Sequence, residues 1–146
     1  RPVGFGVAVG ATDESDTLVG VRALGGIAVP HGALRGVASL LYTKFLNDPT
    51  DPENSTSLYA LGVSADYVWM PVPRFAFAAG LGVGLDYASR TLDQGSDTSP
   101  WGTLRASPII VRLLRGHVEL GVHVQLVRTG DNTVFLGVAA IDLFPW

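Results

Sequence analysis

The segment Phe75–Tyr87 alternates between two kinds of side chain with a period of two residues. Its odd-numbered positions are Phe, Ala, Leu, Val or Tyr, and its even-numbered positions are Ala or Gly until Asp86. Because successive side chains of a β-strand point to opposite faces, a strand here has one apolar face and one face of small residues. A soluble sheet would carry polar side chains on the second face. An apolar face suits lipid and a small face suits the inside of a narrow barrel, so the segment predicts a transmembrane β-strand.

Composition argues against several other classes of protein. The chain of 146 residues is 47% hydrophobic, yet no run approaches the ~18 apolar residues of a membrane helix, whereas a membrane-spanning strand needs only ~9–11. The absence of cysteine removes disulfides, zinc–thiolate sites and thiol nucleophiles. A net charge of −3 gives no support to a nucleic-acid partner. We expect a single domain spanning residues 1–146.

Eight segments show the alternation, and together they predict an all-β, eight-stranded, antiparallel up-and-down transmembrane barrel. They are Val3–Gly10, Thr17–Val29, Ala33–Phe45, Ser57–Met70, Phe75–Tyr87, Trp101–Leu113, Val118–Leu126 and Thr133–Phe144. The third segment also fits helical spacing, and Pro108 predicts a bulge because proline cannot donate to the ladder. Asp142 interrupts the apolar face of the last segment and leaves its facing open. The longest predicted loop is Ser89–Pro100.

The two ends of the predicted barrel differ in composition. Short turns alternate with longer connections, as in outer-membrane barrels that have short periplasmic turns and longer external loops. The acidic outer loops hold nine of the 13 carboxylates, namely Asp13, Glu14, Asp16, Asp48, Asp51, Glu53, Asp93, Asp97 and Asp131. Two aromatic girdles are expected at the lipid–water boundaries, comprising Tyr67, Trp69, Phe75, Phe77, Phe144 and Trp146 at the periplasmic end and Tyr42, Tyr59, Tyr87 and Trp101 at the outer end.

Several charged residues fall on the predicted inward faces. This polar network comprises Arg22, Arg35, Asp66, Asp86, Arg105, Glu119 and His123. A charge in a narrow lumen is tolerated when it is paired or hydrated, so we predict the ion pairs Arg35–Asp66 and Arg105–Asp86 within a polar plug. Eight strands leave room for side chains to fill the interior, so a wide pore is not expected. The alternative use of these groups is a proton or ion path.

The whole chain resembles the small eight-stranded outer-membrane proteins of Gram-negative bacteria, the broad family that includes OmpA-like transmembrane domains and the OmpX and opacity-type surface proteins. The resemblance rests on the alternating strands, above all Phe75–Tyr87 and Val118–Leu126, and on the closing segment from Phe135 to Trp146. The aromatic end of that segment looks like the signal read by the barrel-assembly machinery. The resemblance implies a location in the bacterial outer membrane, with lipid, lipopolysaccharide and other envelope subunits as partners.

Other proteins share this strand number. Barrels that resemble lipid A deacylases need a Ser and a His facing lipid, and no such pair is predicted here, because His117 and His123 take the inward face. A palmitoyl-transfer barrel would find interior room beside the glycines, but its catalytic pattern has no place on this chain. A soluble lipocalin-like carrier of a small apolar ligand also has eight strands. It would be apolar inside and polar outside, the reverse of the predicted faces.

Three weaker motifs have structural explanations. The glycine repeat from Gly80 to Gly84 lacks the spacing and the following helix of a dinucleotide loop. His117 and Glu119 supply only two metal ligands. The acidic segment Asn47–Asn54 matches no calcium-loop pattern, although it would suit a cation bridge to lipopolysaccharide. We therefore expect no cofactor, metal or catalytic site. The expected function is that of a non-enzymatic integral outer-membrane barrel with a structural, anchoring or surface-interaction role, alone or within a larger assembly.

Overall fold

Eight antiparallel strands close into a barrel in the computed structural model, which describes residues 3–12, 17–46, 55–90 and 96–145. The strands are β1 (Val3–Thr12), β2 (Thr17–Val29), β3 (Gly32–Leu46), β4 (Ser55–Val72), β5 (Phe75–Arg90), β6 (Ser96–Leu113), β7 (Val118–Thr129) and β8 (Asn132–Leu143). Each strand pairs with its neighbours in sequence, and β1 closes the barrel against β8. The predicted fold class is confirmed, with a strand rather than a helix at the third segment.

The two ends of the barrel are named here by their connections. The short-turn end holds the β2–β3, β4–β5 and β6–β7 turns, the last of which is a 3-10 turn at Leu114–Gly116. The opposite end is called the loop end, and its β7–β8 connection contains only Gly130 and Asp131. Among the residues that the structure describes, no helix is long and apolar enough to cross a membrane.

Several strands extend beyond their predicted limits at the loop end. Most of the predicted loop Ser89–Pro100 is strand, because β5 continues to Arg90 and β6 begins at Ser96. These added residues are mainly Ser, Thr and Asp, so they carry no apolar alternation from which a strand could be recognised. The backbone ladder nevertheless continues, with Ser89 opposite Ser96. Antiparallel pairing uses backbone groups, which every residue except proline supplies in full.

The outer wall of the barrel is apolar. Leu81, Val83 and Leu61 are 63%, 62% and 59% exposed, and exposed Val, Ile or Leu side chains occur on every strand. The side chains between them point inward, as the strict burial alternation of β1 shows. A soluble carrier would have the opposite arrangement. Burial of this surface therefore requires a lipid environment, because an apolar belt of this kind is unfavourable in water.

Pro108 marks a β-bulge in β6, as predicted. Ala76 and Ala78 of β5 lie opposite Ile110 and Ser107, so β6 contains one more residue than its partner over this interval. The register between β6 and β7 shifts at the same place. A proline that cannot donate a ladder hydrogen bond is accommodated by this extra residue.

Apolar clusters occupy the lumen toward both ends. At the short-turn end, the buried cluster contains Ala33, Val68, Ala76 and Ile110. A second cluster joins Leu24, Val37 and Phe144. Toward the loop end, a third contains Ala8, Leu18, Leu136, Val138 and Ala140, with Leu41 packed against it. Buried charged residues lie between these clusters.

Candidate functional site

The ion pair between Arg105 of β6 and Asp66 of β4 passes over the intervening strand β5 at a glycine. Gly80 of β5 lies directly opposite Asp66 on one side and Arg105 on the other. The Arg105 Nη1 lies 3.3 Å from Asp66 Oδ2, and Arg105 also donates a hydrogen bond to the Ser64 hydroxyl. A Cβ added at Gly80 would fall on the Asp66 carboxylate. The missing side chain therefore allows the pair to form across β5.

The same arrangement recurs at Gly6 of β1. Gly6 lies opposite Arg22 of β2 and Asp142 of β8. Arg22 Nε is 2.9 Å from Asp142 Oδ1, and a Cβ at Gly6 would collide with that carboxylate. Two arginine–carboxylate pairs thus bridge over a glycine on the intervening strand.

Glu119 connects opposite sides of the barrel. It lies on β7 and accepts two hydrogen bonds from Arg35 of β3, at 2.8 and 3.2 Å. Arg112 of β6 approaches the same carboxylate at 3.3 Å. The Arg35 guanidinium also lies over the Phe144 ring, 5.3 Å from its centroid. The lumen plug is defined as Arg22, Arg35, Asp66, Arg105, Arg112, Glu119 and Asp142.

Both predicted ion pairs are wrong in their partners. Arg35 does lie directly opposite Asp66, but its side chain crosses the lumen to Glu119. Arg105 pairs with Asp66, and Asp86 has no ion pair with any described side chain. Pairing by adjacent strands fails because Arg105 reaches over Gly80 to the second strand along, and Arg35 reaches across the lumen to the opposite wall.

Two plug residues, Arg112 and Asp142, were not among the predicted inward-facing charges. Asp142 alternates in step with Leu136, Val138 and Ala140, which are all buried. Knowing which face of β8 points inward would therefore have placed Asp142 in the lumen. Arg112 is seven residues from Arg105, so strict alternation would place it on the opposite face, and the Pro108 bulge between them returns it to the lumen. A bulge disturbs the simple count of alternate positions.

A hydrogen-bonded Ser–His pair lies inside the barrel. Ser107 Oγ is 2.6 Å from His123 Nδ1, and each residue is only 3% exposed. The other ring nitrogen of His123 has no hydrogen-bond partner in the part of the chain that the structure describes. The pair faces the lumen, where a lipid in the surrounding membrane cannot reach it.

Part of each predicted aromatic girdle lies on the outer wall. At the loop end, the Tyr42 and Tyr59 rings lie 5.0 Å apart, and those of Tyr59 and Tyr87 lie 6.4 Å apart. At the short-turn end, Trp69 and Phe77 are 5.8 Å apart. Also exposed at this end are Tyr67, which donates to the Pro30 carbonyl, and Phe75.

Two aromatic residues assigned to the girdles lie inside instead. Phe144 lies two residues after Asp142 and points to the same inward face, so it is only 4% exposed. Trp101 lies four residues before Arg105 and also points inward. Its indole ring occupies the space beside Gly62 and Gly84. These two residues were assigned to the girdles from their positions near predicted strand ends, and that assignment was wrong because alternation along each strand turns them inward. Trp146 lies outside the described residues.

The structure describes two of the nine predicted acidic loop residues. Asp13, Glu14, Asp16, Asp48, Asp51, Glu53 and Asp93 lie outside the described residues. Asp97 belongs to β6, opposite Ala88, and Asp131 is exposed in the β7–β8 turn.

Within the described ranges, no three His, Asp or Glu side chains form a group able to hold a metal ion. His117, which was expected to face inward, is exposed. One of its ring nitrogens lies 2.8 Å from the Phe144 carbonyl oxygen. Glu119 is occupied by two arginines. The two residues therefore have separate structural partners.

The loop-end cavity is a space of about 270 Å³ on the loop side of Trp101. Its lining is mainly aliphatic and includes Leu18, Leu41, Leu58 and Leu136. Asp86, Trp101 and Gln125 supply polar atoms. A much smaller space of about 30 Å³ separates Trp101 from Arg22 and Arg105 of the plug.

Comparisons with known proteins identify the fold. No family model matches the chain, and no curated protein matches its sequence. Among solved structures, the attachment invasion locus protein Ail of Yersinia pestis matches with a TM-score of 0.70 and 12% identity, over 98% of this chain and 96% of Ail. Neisserial surface protein A matches with a TM-score of 0.62 and 16% identity, over 97% of this chain and 94% of that protein.

The outer-membrane enzyme PagL matches with a TM-score of 0.62 and 14% identity, over 96% of this chain and 98% of PagL. At these identities the likeness concerns the fold. The protein is therefore an eight-stranded β-barrel of the bacterial outer-membrane type.

Proposed function

We propose that the protein is an integral outer-membrane barrel with a structural or anchoring role, without enzymatic activity and without a conducting pore. The observation that supports this proposal best is the lumen plug. Its Arg35–Glu119 pair joins opposite walls, and the Arg22–Asp142 and Arg105–Asp66 pairs bridge over neighbouring strands.

A sealed lumen follows from the energetics of these pairs. A permeating ion would have to separate buried charges, and breaking a buried pair costs about 3–5 kcal/mol when one partner is left uncompensated. The space between Trp101 and the plug holds about 30 Å³, which is enough for one or two waters but not for a continuous aqueous channel.

A structural role fits the short connections at the short-turn end. Only Pro30 and His31 separate β2 from β3, and only Pro73 and Arg74 separate β4 from β5. Turns of this length offer little surface for recognition outside the membrane. The apolar wall is the larger surface, so we propose outer-membrane lipid, including lipopolysaccharide, and other membrane subunits as its partners.

A hydrolytic function has one observation in its favour, the Ser107–His123 hydrogen bond. The pair resembles the start of a nucleophile–base arrangement, and PagL is an enzyme with a similar fold. Burial opposes this function, because a substrate would have to enter the plugged lumen to reach Ser107. We therefore assign the pair to packing of the interior.

Membrane fractionation and conductance test the proposed function together. We expect the protein to remain with the outer membrane, to shift on a gel when boiled, and to give no conductance steps in a planar bilayer. The double variant Arg35→Ala/Glu119→Ala removes the pair that crosses the lumen, so small conductance steps are expected from it. Reproducible conductance steps from the unmodified protein would contradict the sealed-lumen proposal.

A screen for anchoring uses detergent-solubilised membranes. Envelope proteins that co-purify with the barrel, and are lost after substitution of outer-wall residues, would support the anchoring role. Hydrolysis of outer-membrane lipid that disappears in Ser107→Ala would refute the non-enzymatic assignment.

A further inference from the structure

We propose that the loop-end cavity binds a small amphiphilic cation, in which an aromatic or short aliphatic body carries an ammonium group. The inference goes beyond the structural role proposed above. It depends on the size of the cavity, on its lining and on the lack of an ion pair between Asp86 and any described side chain.

The cavity has the size and surface of a binding site for a small apolar body. Engineered apolar cavities of about 150 Å³ in other proteins hold benzene. The loop-end cavity is larger, at about 270 Å³, and therefore has room for an aromatic ring with a short arm. Leu18, Leu41, Leu58 and Leu136 supply an aliphatic wall around this space.

Asp86 gives the cavity its preference for a cation. Its predicted partner Arg105 is engaged by Asp66 and Ser64, and no described side chain forms an ion pair with Asp86. A carboxylate that faces an apolar cavity is stabilised by a positive charge beside it, since burial of a charge without a counter-charge is costly. The ammonium group of a ligand would supply that charge.

Trp101 forms the floor of the site. Its indole lies close enough to Asp86 to interact with the carboxylate, although its buried Nε1 makes no hydrogen bond of standard geometry to any described residue. The indole face offers a surface for an aromatic ring or a cation. Below it the space narrows to about 30 Å³ above the plug, so the site is closed toward the short-turn end.

Trp101 also provides the signal for a binding experiment. The protein contains three tryptophans, so the variant Trp69→Phe/Trp146→Phe leaves Trp101 as the single reporter. Phenethylamine is added to this protein in lipid nanodiscs, and Trp101 fluorescence is recorded. We expect a saturable change. The variant Trp101→Phe/Trp146→Phe, which keeps Trp69 on the outer wall, should show only the linear response of amine partitioning into lipid.

Two comparisons separate the proposed site from general apolar binding. Asp86→Asn should weaken phenethylamine binding by about tenfold or more, because it removes a charge-assisted contact. Binding of 2-phenylethanol, which has no charge, should change little in the same variant. Equal affinities of the two proteins for phenethylamine, or the lack of a saturable response in the parent, would overturn the proposal.

A filled cavity provides the final control. Leu58→Phe and Ala60→Phe both place a phenyl ring among the cavity-lining residues without adding a second tryptophan, and a heat-dependent gel shift shows whether each variant folds. A folded variant of either kind should lose saturable phenethylamine binding. Unchanged binding in a folded variant would place the ligand elsewhere and refute the assignment.

Discussion

The substitution Gly80→Ala tests whether a missing side chain allows the Arg105–Asp66 pair to form. The added Cβ would lie 2.8 Å from Asp66 Cα, and it would also meet the Asp66 carboxylate and the Ala65 carbonyl oxygen. Two of these three contacts are backbone atoms, so the strain cannot be relieved by moving a flexible side chain alone.

The magnitude follows from the two ways in which the barrel can respond. If the backbone shifts, overpacking of this kind costs about 1–3 kcal/mol. If Asp66 turns away, Arg105 loses its buried partner, at a cost of about 3–5 kcal/mol. Replacement of a strand glycine by alanine returns about 0.5–1 kcal/mol. The barrel takes the response that costs less, so we expect Gly80→Ala to lower the free energy of unfolding by about 1–2 kcal/mol.

Gly36→Ala is the matched control. Gly36 lies on the outer wall of β3, and the nearest atoms to an added Cβ are the carbonyl oxygens of Gly25 at 3.8 Å and Ser64 at 4.0 Å. This variant should be unchanged or slightly more stable. Both proteins are compared by urea titration of the barrel folded in lipid vesicles. In an Asp66→Ala background, the cost of Gly80→Ala should fall, since the carboxylate contact is gone. Equal stability of Gly80→Ala and Gly36→Ala would refute the reasoning.

Three further substitutions test the plug, the closing strand and the outer wall. Glu119→Gln leaves two arginines without their carboxylate and should destabilise the barrel by about 3–5 kcal/mol, measured by urea titration; a loss below about 1 kcal/mol would mean that the pair is solvated. Phe144→Ala opens a buried cluster and should cost about 3–5 kcal/mol, seen as a lower temperature for the gel shift. Leu81→Arg places a charge on the lipid face and should cost about 2–4 kcal/mol in vesicles. Leu114→Arg, at a turn residue that is 73% exposed, should cost little in the same measurement.

The fold was predictable because the membrane and the narrow lumen act on each residue separately. A side chain that faces lipid must be apolar, and one that faces the lumen must fit a restricted space, so β2 could be placed with the limits that the structure has. Beyond the lipid boundary this constraint ends. For that reason the sequence predicts a loop where β5 and β6 extend with polar residues.

The candidate site was less predictable because it depends on contacts between strands that are not neighbours. Arg35 and Glu119 are 84 residues apart in sequence and lie on opposite walls. Arg105 reaches Asp66 only because Gly80 lies between them. Neither relation can be read from alternation along one strand.

For the two aromatic residues wrongly assigned to the girdles, alternation along the strand was a better guide than closeness to a strand end. Phe144 and Trp101 lie at the ends of their predicted strands, where girdle residues are expected, yet each lies an even number of residues from an inward-facing plug residue. An aromatic side chain is therefore a girdle candidate only when alternation along its strand also places it on the lipid-facing side.

The central claim is that the apolar wall faces lipid, and spin-label accessibility tests it most directly. The chain has no native cysteine, so single cysteines at Leu81, Val83 and Leu114 can each carry a nitroxide without competing sites. In lipid vesicles, the labels at Leu81 and Val83 should be accessible to oxygen and protected from a water-soluble nickel complex, and the label at Leu114 should show the reverse. Ready access of the nickel complex to Leu81 and Val83 would contradict a transmembrane barrel.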